Sequence, residues 1–113
     1  MVNNPKVIFV DVDETICESP SNRDYSKAKP IYDNITKINK LYDVGHQIIY
    51  WTARGTLNKD KTKNWFHTTH TQLERWGCRF HELRMGKPVY DLFIDDKNMN
   101  VRDIDETVLL WRD

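Results

Sequence analysis

The sequence predicts an α/β domain with a mainly parallel sheet in three layers. Three observations lead there. Val7-Ile8-Phe9-Val10 is a short, continuous, β-branched run of the kind buried on both faces of a parallel sheet. Strand-like runs then alternate with segments of helical period, in the order β-α-β-α-β. Polar residues collect where the apolar runs end, which is where ligands bind in open α/β sheets.

The elements follow in order. After the first run, residues 14–30 are polar and carry Pro20 and Pro30, so they read as a loop. Ile31, Ile35, Ile38 and Tyr42 recur at helical spacing, and Gly45 supplies a stop. Residues 47–51 form a second strand that runs into Thr52-Ala53-Arg54-Gly55. A second helix is expected over about 61–76, with Trp65, Thr69, Gln72 or Leu73, and Trp76 on one face and Gly77 as its stop. Residues 78–83 read as a third strand, and Leu92, Phe93 and Ile94 as a fourth ending at Asp95-Asp96. Residues 107–111 fit either an edge strand or a short terminal helix.

The chain's 113 residues suit one domain with one core. Lysine plus arginine equal aspartate plus glutamate at 17 each, which argues against a broad basic footprint for nucleic acid. Cys17 and Cys78 sit outside any short metal or redox motif, so they read as reduced thiols of a cytoplasmic protein. No apolar stretch reaches membrane-spanning length, and no membrane partner is expected.

Asp11 and Asp13 leave the first strand, Thr52 and Arg54 the second, and Asp95 and Asp96 the fourth, so all should converge on one sheet edge. Two carboxylates so close repel unless a cation offsets them. With Asp95 or Asp96 they would make an all-oxygen shell that suits Mg²⁺ better than zinc. A metal-held carboxylate such as Asp11 can attack phosphorus and form an aspartyl phosphate. Asp13, close by and free to swing, is the candidate general acid and base. Thr52 and Lys87 would hold the transferring oxygens, the first by hydroxyl and backbone and the second as a point charge. Arg54 is a candidate substrate contact or a structural ion pair.

Asp11-Val12-Asp13-Glu14-Thr15, Thr52, Lys87 and Asp95-Asp96, in that order, resemble the four motifs of the haloacid dehalogenase (HAD) superfamily of phosphatases. The likeness spans residues 7–96. It implies a Rossmann-like HAD core, with Asp11 as nucleophile and Asp13 as acid/base. It also implies Mg²⁺ on Asp11, Asp13 (through its backbone carbonyl) and Asp95, and phosphate on Thr52 and Lys87. Thr15-Ile16-Cys17, Thr52-Ala53-Arg54, Gly86-Lys87-Pro88 and Phe93-Ile94-Asp95-Asp96 are further similar to the small capsule-biosynthesis phosphatases of that superfamily. That similarity implies a phosphorylated sugar or related metabolite as substrate.

Segments 14–30 and 55–60 are too short for a cap domain, which implies an open site unless a neighbouring subunit of a homo-oligomer covers it. Two rivals stand behind this expectation. A polynucleotide 3′-phosphatase would use Arg54, Lys59, Lys61 and Lys63 as a modest basic cluster. A receiver-like phosphoacceptor module shares the residue types, but places its acidic pair first and its phosphorylated aspartate after the third strand.

Overall fold

The structure is a computed structural model that describes residues 2–57 and 63–109. Its frame is a three-stranded parallel sheet of β1 (Val7–Val10), β4 (Gln47–Trp51) and β5 (Glu82–Arg84), in the order β1-β4-β5. Helix α1 (Tyr32–Asp43) links β1 to β4, and α2 (Trp65–Arg75) links β4 to β5. Segment 14–30, expected as a plain loop, contains β2 (Cys17–Glu18) and β3 (Lys29–Pro30), paired antiparallel, with a 3-10 turn at Tyr25–Lys27 between them.

Register explains where the core lies. Ile8 pairs with Ile48, Val10 with Tyr50, and Tyr50 with Leu83, so these five side chains share one face. Val10, Ile48, Tyr50 and Leu83 form one buried cluster with Ile35, Ile38 and Leu41 of α1 and Leu73 of α2. Because the strand order advances in one direction, two right-handed crossovers put both helices on that face. On the opposite face Val7 is 59% exposed and Phe9 46%. Ile49, which pairs with Phe9 on that same face, is buried.

The helices end as the glycines imply. Gly45 and Gly77 take positive φ (113° and 74°), and their N–H groups bond the carbonyls of Tyr42 and Glu74. Helix α2 begins at Trp65, where the Asn64 side chain accepts the His67 N–H. It buries Thr69 and Leu73, with Trp65, Gln72 and Trp76 partly covered. The terminal segment resolves as a short helix, α3 (Glu106–Leu109), which packs on α1 and seats Leu109 in the core. Leu110 and Trp111 lie outside the described residues, as do Lys59 and Lys61 of the basic cluster.

Two strand expectations need correction. The third strand begins later, at Glu82, after an irregular passage through 78–80. The expected fourth strand does not form. Residues 88–100 are exposed throughout, with Leu92 at 74% and Ile94 at 87%. The physical reason is the connection. After β5, residues 85–91 leave seven positions to reach the free side of β1, three inter-strand spacings away. A parallel crossover needs about a dozen residues and here about 14 Å of lateral travel. Leaving Leu92 and Ile94 in water forgoes burial worth roughly 1.5–3 kcal/mol per side chain.

Candidate active site

Parallel strands present their carboxyl ends together, and here those ends carry Asp11, Thr52 and the Met85-Gly86-Lys87 passage. A tight turn follows β1. The Thr15 and Ile16 N–H groups bond the Val12 carbonyl, and Glu14 N–H bonds the Cys17 carbonyl, with Glu14 at φ 62°. That turn brings Asp13 back over the sheet end. The result is an open cleft of about 850 Å³, lined among others by Asp11, Asp13, Glu14, Arg54, Lys87 and Tyr90.

Lys87 meets Asp11 directly, Nζ to Oδ2 at 3.6 Å. Its backbone is pinned on both sides: its N–H donates to the Thr52 carbonyl at 3.0 Å, and its carbonyl accepts from the Thr56 hydroxyl at 2.9 Å. Its ammonium lies 5.3 Å from the Tyr90 ring centre and 5.9 Å from that of Trp51, an aromatic wall that favours a cation there. The other basic candidates lie elsewhere. Arg84 pairs with Glu82 and covers Phe9, and Lys97 sits in the exposed segment.

Asp11 is half-buried, and that loss of water pushes its carboxyl above the usual range. The Lys87 charge and the Val12 N–H, 2.8 Å from Oδ1, pull the other way, while Asp13 adds to the rise. The product is a carboxylate with one oxygen held by backbone and one facing a cation across open space. Such an oxygen is placed to attack an electrophile whose own negative charge Lys87 would attract.

Asp13 is not free to swing, as expected, but clamped. Arg54 donates to it from Nε (3.1 Å to Oδ1, 3.0 Å to Oδ2) and from Nη2 (2.8 Å to Oδ1). The Ser19 hydroxyl and the Cys17 thiol also reach Oδ1. Oδ2 accepts only from Arg54 Nε among the described residues. Burial, reinforced by Asp13, pushes the Cys17 thiol up to about 12, so it stays protonated and serves as a donor.

Arg54 makes the structural ion pair, one of the two roles the sequence allows it. It is 2% exposed, and Nη1 donates to Thr69 Oγ1 (3.1 Å) and Gln72 Oε1 (2.6 Å) while the ring of Tyr25 lies 4.9 Å from Cζ. Its donors are spent inside the protein, so it positions Asp13 rather than contacting substrate. Thr52 is likewise fully buried. Its hydroxyl accepts the Arg54 N–H at 3.1 Å, and Ala53 rather than Thr52 lines the cleft. That bond shapes the turn from within.

Asp95 is the residue the structure does not bring in. It lies in the exposed segment, where Oδ1 accepts the Lys97 N–H and its carbonyl accepts from Asn98. Among the described residues no three His, Cys, Asp or Glu side chains gather as a cation site. Asp11 faces Lys87, the Asp13 side chain faces Arg54, and Asp95 stands apart in the exposed segment, so the three carboxylates expected around Mg²⁺ are not gathered within one chain.

Ser19, Tyr25, Thr69 and Gln72 join the site only through the fold. Thr69 and Gln72 carried a usable signal, since helical spacing put both on the inward face of α2. Ser19 and Tyr25 carried none, because only the β2–β3 hairpin folds them over Asp13.

A scan against protein-family models finds no match, and neither does a search of curated proteins. Among solved structures, the chain is similar to a structural-genomics target from Vibrio cholerae. They share 20% identity and a TM-score of 0.77 over 93% of this chain and 94% of that one. At that identity the likeness speaks for the α/β fold with its parallel sheet.

Proposed function

We propose that this protein is a phosphomonoesterase that passes a phosphoryl group through Asp11 to water. The observation that carries this assignment is the Asp11–Lys87 pair, a half-buried carboxylate oxygen 3.6 Å from an ammonium in an open cleft. Asp11 would attack phosphorus as the P–O bond to the leaving group breaks, and the leaving oxygen would take a proton from Asp13. Water would then attack the aspartyl phosphate, Asp13 would accept its proton, and inorganic phosphate would depart. Asp13 Oδ2 is the oxygen with room for that proton, because Oδ1 is saturated by Arg54, Ser19 and Cys17.

What supports the chemistry further is the motif order, similar to HAD-superfamily phosphatases of capless type, in a Rossmann-like setting. Within that superfamily the similarity to capsule-biosynthesis phosphatases favours a sugar phosphate or related small metabolite. Mg²⁺ is the proposed ion for Asp11, Asp13 and Asp95, a set that one chain does not assemble.

The direct test is phosphate release from sugar phosphates, nucleotides and 3′-phosphorylated oligonucleotides, with Mg²⁺ and with a chelator. Turnover of a sugar phosphate that Asp11→Asn abolishes is the expected result. Undiminished turnover by Asp11→Asn would remove Asp11 as the nucleophile. A stable phosphoprotein without turnover would favour the phosphoacceptor alternative.

A further inference from the structure

Three observations concern one region. First, β1 is an edge strand that pairs with β4 alone, and its other backbone edge takes no strand among the described residues. Such an edge is a template for another strand. Second, residues 88–100 form an exposed arm whose Leu92, Phe93 and Ile94 are the strand-type sequence that found no partner, at 74%, 50% and 87% exposure. Third, the carboxylate missing from the cleft, Asp95, directly follows that sequence.

The arm cannot supply Asp95 to its own cleft by sheet pairing. A parallel docking on its own β1 needs the crossover that residues 85–91 are too short to make. Lys87, pinned to Thr52 and Thr56, tethers the arm at the carboxyl end of the sheet and shortens the reach further. An antiparallel docking from that tether would run down β1 and leave Asp95 at the wrong end, away from Asp11. A second copy carries neither restriction.

We propose that the arm of one copy adds parallel to the free edge of β1 in a second copy, bringing the partner's Asp95 level with Asp11 and Asp13 and completing a divalent-cation site shared by two chains. The exchange is reciprocal, so the two-fold dimer closes and carries two such sites. It supplies backbone partners to the open edge of β1, and the added strand extends the sheet face where Val7 and Phe9 lie exposed. Asp11 and the partner's Asp95 then supply two carboxylates beside the Asp13 backbone carbonyl, an all-oxygen set for a hard cation that keeps water and phosphate as its remaining ligands. This inference rests on the carboxylate chemistry of the proposed function and adds where its third carboxylate originates.

The test mixes lesions. Asp11→Asn damages the body of the site and Asp95→Asn damages the arm, and the two variants are refolded together from denaturant. In a heterodimer one site then receives both lesions and the other receives neither. Mass is read by light scattering, and Mn²⁺ binding by electron paramagnetic resonance, so no substrate is needed. Wild type should have dimer mass, and each variant alone should lose most Mn²⁺ binding. The equal mixture should recover about one quarter of the wild-type site count, since half the dimers are mixed and each holds one intact site.

Ile94→Asp, on a side chain already in water, should yield a folded monomer without the Mn²⁺ site. A wild type that stays monomeric with and without Mn²⁺ overturns the proposal. So does a mixture that binds no more Mn²⁺ than its parents, or an Asp95→Asn variant that binds like wild type. Absence of phosphate release from every substrate would instead count against the phosphatase assignment and leave these readouts intact.

Discussion

Arg54 offers the sharpest test of how the cleft is held together. Its guanidinium is buried, with Nε and Nη2 on Asp13 and Nη1 on Thr69 and Gln72. Arg54→Ala removes that fork and leaves the Asp13 carboxylate, 23% exposed, facing the space where its partner stood. Breaking a buried pair on one side costs about 3–5 kcal/mol, and the partial exposure of Asp13 puts this case at the lower end, about 3 kcal/mol. For a domain whose whole stability is on the order of 5–15 kcal/mol, that is a large share. At about 4 °C per kcal/mol for a chain of this size, Tm should fall by roughly 12 °C. Arg54→Lys keeps the charge but loses the planar fork, so it should cost about 1–2 kcal/mol. Urea and thermal unfolding followed by circular dichroism read both variants. In an Asp13→Asn background the Arg54→Ala cost should shrink, because no unpaired charge remains. A change below about 0.5 kcal/mol together with a large rise in KM would refute the positioning role and restore Arg54 as a substrate contact.

Other outcomes follow from the same geometry. Lys87→Met should reduce kcat/KM by about 10²–10³-fold, as loss of a transition-state charge contact does. Lys87 lowers the Asp11 pKa, so its removal should also move the acidic limb of the pH–rate profile to higher pH, which a pH series reads directly. For stability the sign is set by burial. The folded-state pKa of Asp11 is raised, so the folded chain binds more protons than the unfolded one, and stability declines as pH rises through the folded value. Asp11→Asn should remove that decline and leave a protein at least as stable as wild type near neutral pH, while abolishing turnover. Gly55 holds φ +79° with a Cβ position 2.9 Å from Trp65 Cδ1, so Gly55→Ala should cost about 1–3 kcal/mol in unfolding experiments.

Much of this molecule could be read before any coordinates. The β1, α1, β4 and α2 assignments rest on local rules, namely apolar period, capping and glycine stops, which act over a few residues and so survive in a single sequence. Asp11, Asp13 and Lys87 were legible for the same reason, as polar residues at the ends of apolar runs. Three-dimensional packing reassigned the rest. Arg54 kept its place at the end of β4 but turned inward, because Thr69 and Gln72 of α2 and the β2–β3 hairpin close over it and take up its donors, and Thr52 is buried beside it with its hydroxyl on the Arg54 N–H. Leu92, Phe93 and Ile94 have strand-type side chains, yet a strand needs a neighbour and a connection long enough to reach it. Composition records the side-chain type and is silent on both requirements, since chain reach and strand order are properties of the whole fold.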